Sequence, residues 1–312
     1  MWRALFLSSL ALAACSPSSA VPDGGDDGGP PDADTTFSYT PQGCSYAVTL
    51  PGSRGFQSVA LDDGAPITDV AGATPVRVRV GLGGGASGAD PKTTAVFTWE
   101  TSGQNGAAEV RIGSTIYKGH VWTTPPPTVG FGTTEPPAYM HEVDVCGLTP
   151  GTTYDYQVGG GAQGADVWST SQSFTTLPSS GKLTIGVSGN SRDDASVFQL
   201  VQQRMHDQAV AMQLFSGDFV LWGSQESLYQ SWLDKASTVT LGQEMILPVA
   251  GNHENSSSQF YGNFALPGDG AFAEAFFSVD IGSAHVVMFD DQAIVVQMRD
   301  DEAVAALKFV DD

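Results

Sequence analysis

The run Met245-Ile246-Leu247-Pro248-Val249-Ala250-Gly251-Asn252-His253-Glu254 begins as an apolar strand and ends in a glycine followed by an amide, an imidazole and a carboxylate. Two upstream runs are built alike: Leu183 to Ser188 leads into Gly189-Asn190, and Ala211 to Ser216 leads into Gly217-Asp218. Helical periodicity fills the spaces between them. Ser196 to Asp207 carries a Ser196…Gln199 capping box and an apolar face of Val197, Leu200, Val201 and Met205, and Gln225 to about Ala236 reads as a second helix. This β-α-β-α-β order predicts right-handed crossovers and neighbouring parallel strands. Open sheets of that kind bind ligands beyond the carboxyl ends of their strands, so the topology brings the three tips to one edge. A single Gly-Asn or Gly-Asp is most often a simple turn. Three of them in phase, each directly after an apolar strand, point instead to a site, where glycine lets the backbone turn and Asp or Asn aims oxygens into the crevice. Convergent oxygen donors with a histidine beside them suit a hard or borderline divalent cation.

Upstream of this unit the pattern changes. From about Pro75 to Leu177 short alternating runs recur, among them Val76-Arg77-Val78-Arg79-Val80, Ala95-Val96-Phe97-Thr98-Trp99, Glu109-Val110-Arg111-Ile112 and His141-Glu142-Val143-Asp144-Val145, separated by turns rich in Gly and Pro. Such spacing predicts an all-β sandwich. Pro178-Ser179-Ser180-Gly181 reads as a linker. Downstream, Phe276 to Asp280 and Ala284 to Phe289 are expected strands, and Asp300 to Val310 the start of a helix.

Gly147-Leu148-Thr149-Pro150-Gly151-Thr152-Thr153-Tyr154-Asp155-Tyr156-Gln157-Val158 resembles a hairpin of fibronectin type III sandwiches. With Val96-Phe97-Thr98-Trp99 and Ser173-Phe174-Thr175-Thr176, the segment is similar to the N-terminal domain of purple acid phosphatases. Ser188-Gly189-Asn190-Ser191-Arg192, Ser216-Gly217-Asp218-Phe219-Val220 and Pro248 to Glu254 resemble, in order and spacing, the first three blocks of calcineurin-like metallophosphoesterases. The expected architecture is therefore a fibronectin type III-like all-β domain over 66–177, followed over 182–312 by the N-terminal portion of an α/β metallophosphoesterase domain, a layered β-sandwich flanked by helices and incomplete at its C-terminal end.

The resemblance implies hydrolysis of phosphomonoesters by a dinuclear centre of divalent or trivalent ions (Fe, Zn or Mn), which clamps the phosphate and supplies hydroxide. Residue by residue, Asp218 matches the bridging carboxylate and Asn252 an amide-oxygen ligand. His253 matches the histidine that contacts the phosphate and assists the leaving group. Asn190 stands where the family has Asp, keeping an oxygen donor without its charge, with Asp193 and Asp194 close by in the chain. Arg192 stands where many relatives have a metal-binding His, and its fork suits phosphate. Leu221 replaces the metal-binding Tyr of purple acid phosphatases, so their redox-active iron chemistry is unsupported. The later His and Gly-His-x-His blocks have no counterpart; His120 and His141 fall in the sandwich, His206 on a helix and His285 within a strand. Two readings stay open, a fragment of a longer product and a truncated, inactive descendant. The competing function is a non-catalytic surface lipoprotein with a binding β-sandwich.

At the other end, Arg3 followed by the apolar Leu5 to Leu12 and by Leu12-Ala13-Ala14-Cys15 looks like a bacterial lipoprotein signal over 1–14, with an ordinary secretory signal as the alternative. The expectation is export to the cell envelope, outer membrane or periplasm-facing, on acyl chains at Cys15. Residues 15–40 read as an acidic Gly/Pro/Asp tether. Cys44 and Cys146 form an even pair suited to a disulfide in an oxidising compartment, against the alternative of two buried thiols. With 34 acidic and 13 basic residues and a net charge of −21, the chain repels nucleic acid, and the expected partners are a small phosphate ester and a membrane reached through the lipid anchor.

Overall fold

The computed structural model describes residues 3–7, 36–51, 57–59, 74–83, 89–101, 108–123, 139–160, 167–192, 194–255, 257–267 and 274–291. Cys15, Asp193, nearly all of the expected tether and the expected helix over 300–310 lie outside the described residues.

The first part of the chain is all strand: β1 (Arg3–Leu7), β2 (Thr36–Tyr39), β3 (Val48–Pro51), β4 (Gln57–Val59), β5 (Val76–Gly81), β6 (Thr94–Thr101), β7 (Glu109–Ile112), β8 (Thr115–Lys118), β9 (His120–Thr123), β10 (Tyr139–Cys146), β11 (Thr153–Gly160), β12 (Val167–Trp168) and β13 (Gln172–Thr175). Strands β5, β6, β10, β9 and β4 form one layer, and β12, β11, β7 and β8, with β13 on β11, form the other. The two layers bury Phe97, Trp99, Tyr156 and Phe174 between them, and Phe97 lies 4.6 Å from Tyr156 and 5.1 Å from Phe174 by ring centroid. Offset and edge-on pairs of this kind contribute about 0.5–1.5 kcal/mol each beyond their burial. Cys44 and Cys146 are joined by a disulfide, Cα to Cα 5.2 Å, that ties the segment before the sandwich to the end of β10.

The second part alternates: β14 (Ile185–Ser188), α1 (Ala195–Asp207), β15 (Met212–Phe215), α2 (Glu226–Ala236), β16 (Met245–Pro248), α3 (Ser258–Asn263), β17 (Phe276–Ile281) and β18 (Ala284–Phe289). β14, β15 and β16 are parallel neighbours. β17 and β18 form an antiparallel hairpin, and β1, from the stretch read as a signal sequence, runs parallel to β18 from Arg3 opposite Ala284 to Leu7 opposite Met288.

Three details depart from the expectations. α1 is capped by Asp194, whose carboxylate accepts the Val197 N–H at 3.1 Å, rather than by Ser196. Its inward side chains are Phe198 and Gln202, whereas Val197, Leu200 and Val201 are exposed. The reason is a buried polar chain: Gln202 donates to Gln213 Oε1 on β15 at 2.8 Å and accepts from Thr240, so a glutamine takes a core position. Finally, the sheet does not stop at the linker 178–181. β16 pairs in parallel with β5 (Met245 opposite Val80, Ile246 opposite Gly81), giving one eight-stranded sheet in the order β14-β15-β16-β5-β6-β10-β9-β4. Arg77 on β5 reinforces the junction with ion pairs of 2.8 Å to Glu100 on β6 and 2.8 Å to Asp234 on α2.

Candidate functional site

The three strand-end loops are laced together by their own backbones. Asn190 N–H donates to Gly217 O at 2.8 Å, Arg192 N–H to Asp218 O at 2.9 Å, and His253 N–H to Asp218 Oδ1 at 3.2 Å. The tips approach so closely that a Cβ on Gly217 would lie 2.6 Å from Gly251 Cα, and one on Gly251 would lie 2.3 Å from Asp218 Oδ1. These glycines are therefore fixed by contact with a neighbouring loop. Asn190, Arg192 and Asp218 have φ of 54°, 35° and 60°, in the left-handed region that costs a non-glycine residue about 1–3 kcal/mol. Strained backbone held in place by surrounding bonds at converging loops is characteristic of functional sites.

Beneath the tips lies an aromatic layer drawn from β15, the loop that follows it, α1 and α2. By ring centroid, Phe215 lies 3.9 Å from Phe219 and 5.3 Å from Phe198, and Trp232 on α2 lies 4.8 Å from Phe198 and 4.9 Å from Phe219. Trp232 also reaches up, its Nε1–H donating to Ser191 Oγ at 2.8 Å, so α2 holds the first loop from below.

Glu254 organises the other two loops. Its carboxylate is fully buried and accepts backbone N–H groups from Asp218 at 2.7 Å, Phe219 at 2.8 Å, Val220 at 3.2 Å and Gly251 at 2.9 Å. Burial pushes its pKa up, and the donated N–H groups oppose the shift. The sequence assigns this residue no role, because three of its four donors lie some 35 residues away on another loop.

The residues singled out from the sequence are gathered here. Asp218 is buried, with Oδ1 toward His253 N–H and Oδ2 3.7 Å from Arg192 Nε. Asn190 and Asn252 are exposed at their tips. His253 is half-buried, and its Nδ1 is 2.8 Å from Leu221 O. A carbonyl only accepts, so Nδ1 carries the proton and Nε2 is the atom available for chemistry. Gly223 N–H donates to His253 O at 2.9 Å, so both neighbours of Trp222 are bound to His253. Trp222 is 59% exposed, the one exposed large aromatic among the described residues, and sequence reasoning passed over it.

The remaining histidines are elsewhere. His141 stacks on Trp99 in the sandwich, and His120 packs edge-on against Tyr39. His206 pairs with Glu244 at 3.2 Å, and His285 with Asp280 across the hairpin at 2.8 Å. Asp194 is engaged as the cap of α1. Asn190 Oδ1 accepts the Nε–H of Arg192 at 2.7 Å, so a side-chain cation already satisfies one of the expected metal donors. No group of three or more His, Cys, Asp and Glu suited to a metal occurs among the described residues. One carboxylate, two amides and one imidazole do not fit the closed coordination of two metal ions.

Residues 84–176 match the family model of the purple acid phosphatase N-terminal domain. Among solved structures, that of a purple acid phosphatase from yellow lupin (Lupinus luteus) seeds is similar, with a TM-score of 0.60 and 14% identity. The likeness covers 77% of this chain and 48% of the lupin chain, so the chain spans about half the length of that relative. No curated protein sequence matches. Residues 84–176 thus resemble the N-terminal β domain of purple acid phosphatases, and over most of its length the chain shares the fold of the lupin structure, an N-terminal β domain joined to an α/β domain.

Proposed function

We propose that the loops after β14, β15 and β16 bind and hydrolyse a small phosphomonoester, as the phosphoesterase-like fold suggests. The observation that carries this reading is that the loops bearing Arg192, Asp218 and His253 are bonded to one another at adjoining strand ends. The Arg192 guanidinium supplies a permanent positive charge with planar N–H donors for phosphoryl oxygens. His253, fixed through Nδ1 by Leu221 O, presents Nε2 toward the ester. In hydrolysis water adds to phosphorus, the P–O ester bond breaks, and a protonated Nε2 donates to the departing alkoxide. Asp218 orients His253 by accepting its backbone N–H and balances the charge of Arg192. The purified chain, assayed on a chromogenic aryl phosphate with and without added Zn²⁺, Mn²⁺ or Fe, tests the proposal. Turnover that is lost in His253→Ala supports it, and no turnover under any of these conditions sinks it.

The second reading, a phosphate-ester-binding protein without turnover, draws on Arg192 Nε lying on Asn190 Oδ1. Calorimetric binding of inorganic phosphate by a chain with no hydrolytic activity distinguishes it from the first. Export and lipid anchoring at Cys15 belong to the same proposal and rest on the N-terminal sequence. An acylated N-terminal Cys15 peptide in the mass spectrum of the mature protein is the expected result, and an intact Met1 peptide would overturn it.

A further inference from the structure

Arg192 is tied into the site at both ends. Its backbone N–H donates to Asp218 O at 2.9 Å, and its Nε–H donates to Asn190 Oδ1 at 2.7 Å while lying 3.7 Å from Asp218 Oδ2. A metal ion binds carboxylate and amide oxygens at about 2.0–2.6 Å and uses the same lone pairs. A guanidinium stays charged throughout the accessible pH range, so it leaves these oxygens only by rotating away. The short i to i+2 reach between Asn190 and Arg192 depends on left-handed backbone at both residues, with φ of 54° and 35°. This loop conformation holds the nitrogen on Asn190 Oδ1 and within ion-pair distance of Asp218 Oδ2. The Arg192 side chain is 42% exposed, and the guanidinium makes no other hydrogen bond among the described residues, which leaves its terminal N–H groups for an anion arriving from solvent.

We propose that Arg192 is a resident cation of the site: its guanidinium takes the place between Asn190 and Asp218 that a divalent metal would use, and makes the loops a receptor for a phosphate-like anion that assembles without metal. The inference rests on these loops being the functional site but not on their turning over an ester. A divalent ion and Arg192 then compete for the same oxygens, and the side chain both holds the loops in register and contacts the anion directly.

The test uses the full chain with Mn²⁺ alone, followed by titration calorimetry. Arg192→Gln and Arg192→Ala are expected to bind Mn²⁺ at least about tenfold more tightly than wild type, a change of about 1.4 kcal/mol. Adding Asp218→Asn to either variant is expected to abolish that gain. Equal Mn²⁺ affinity in wild type and variants overturns the proposal, as does tighter binding by wild type. Should the variants fail to fold, the wild-type melting temperature decides. A rise with millimolar inorganic phosphate, with no rise from millimolar Mn²⁺ and no fall with EDTA, supports the resident cation; a rise with micromolar Mn²⁺ overturns it. Loss of aryl phosphate turnover bears on the hydrolase reading and leaves this comparison of metal affinities intact.

Discussion

Glu254 shows what a single residue can hold together. Four backbone N–H groups from two loops converge on its carboxylate, and no side-chain cation pairs with it among the described residues. In Glu254→Gln the amide keeps one acceptor oxygen and turns an NH2 toward donors that cannot accept. Each buried donor left without a partner costs about 1–3 kcal/mol, so the substitution is expected to lower unfolding free energy by about 2–5 kcal/mol, read from the urea midpoint. It is also expected to release Asp218 and Gly251, so that phosphate binding weakens even where the variant is folded. An unchanged midpoint would contradict the assigned role. At this scale the sequence was partly legible. Strand phase alone brings the tips of Asn190, Asp218 and Asn252 to one edge, whereas Arg192 and His253 stand out through the family resemblance. Glu254 and Trp222 stand out through neither, because their roles arise from bonds between loops: Glu254 to the N–H groups of 218–220, and the residues flanking Trp222 to His253.

Among the elements, α1 is the one whose pattern misleads. Its valines and leucine repeat at helical spacing, yet Leu200 is 68% exposed, while Phe198 packs against Phe215 and Trp232. Apolar periodicity finds the face with most aliphatic residues; it cannot see that Gln202 is satisfied by Gln213 and Thr240 and so is free to be buried. Two substitutions separate the faces. Phe198→Ala is expected to cost about 3–5 kcal/mol, in the range for emptying an aromatic core position, whereas Leu200→Lys is expected to stay within about 0.5 kcal/mol. Thermal or urea unfolding of both variants makes the comparison, and equal costs would reinstate the aliphatic face as the core. The helix start differs for a related reason, since Ser196 and Asp194 are both capping residues and the hydrogen bond from Val197 N–H to Asp194 chooses between them. The strands of the second part are more legible, because apolar runs bounded by glycine and proline leave little choice of boundary.

For the whole molecule, a buried carboxyl group beside the disulfide makes stability depend on pH. Asp144 on β10 is buried where Tyr39 and Tyr46 donate their hydroxyls to it at 3.0 Å and 2.9 Å, close to the Cys44–Cys146 link. Burial raises its pKa from 3.8 to about 6, against the pull of those hydroxyl donors. The folded chain therefore holds this proton more tightly than the unfolded chain. Its contribution to stability is fully present below about pH 4 and is lost as pH climbs through about 6. Unfolding free energy measured across that window is expected to decline by up to about 1.4 kcal/mol per pH unit from this group, and Asp144→Asn to flatten the decline; an identical slope in the variant would refute the assignment. What the sequence concealed at this scale was the joining of its two expected domains, because nothing in Val80 or Met245 announces a partner so far along the chain. That join has a consequence for how the molecule is assembled and taken apart. β5 is made early and waits for β16, so the centre of the sheet closes only late in synthesis, as non-local pairing demands. The exposed linker at 179–181 is then a covalent convenience rather than a hinge between independent bodies. Cut there by a protease, the two pieces are expected to elute together from a sizing column and to melt in one transition, held by the β5–β16 ladder and by Arg77 between Glu100 and Asp234.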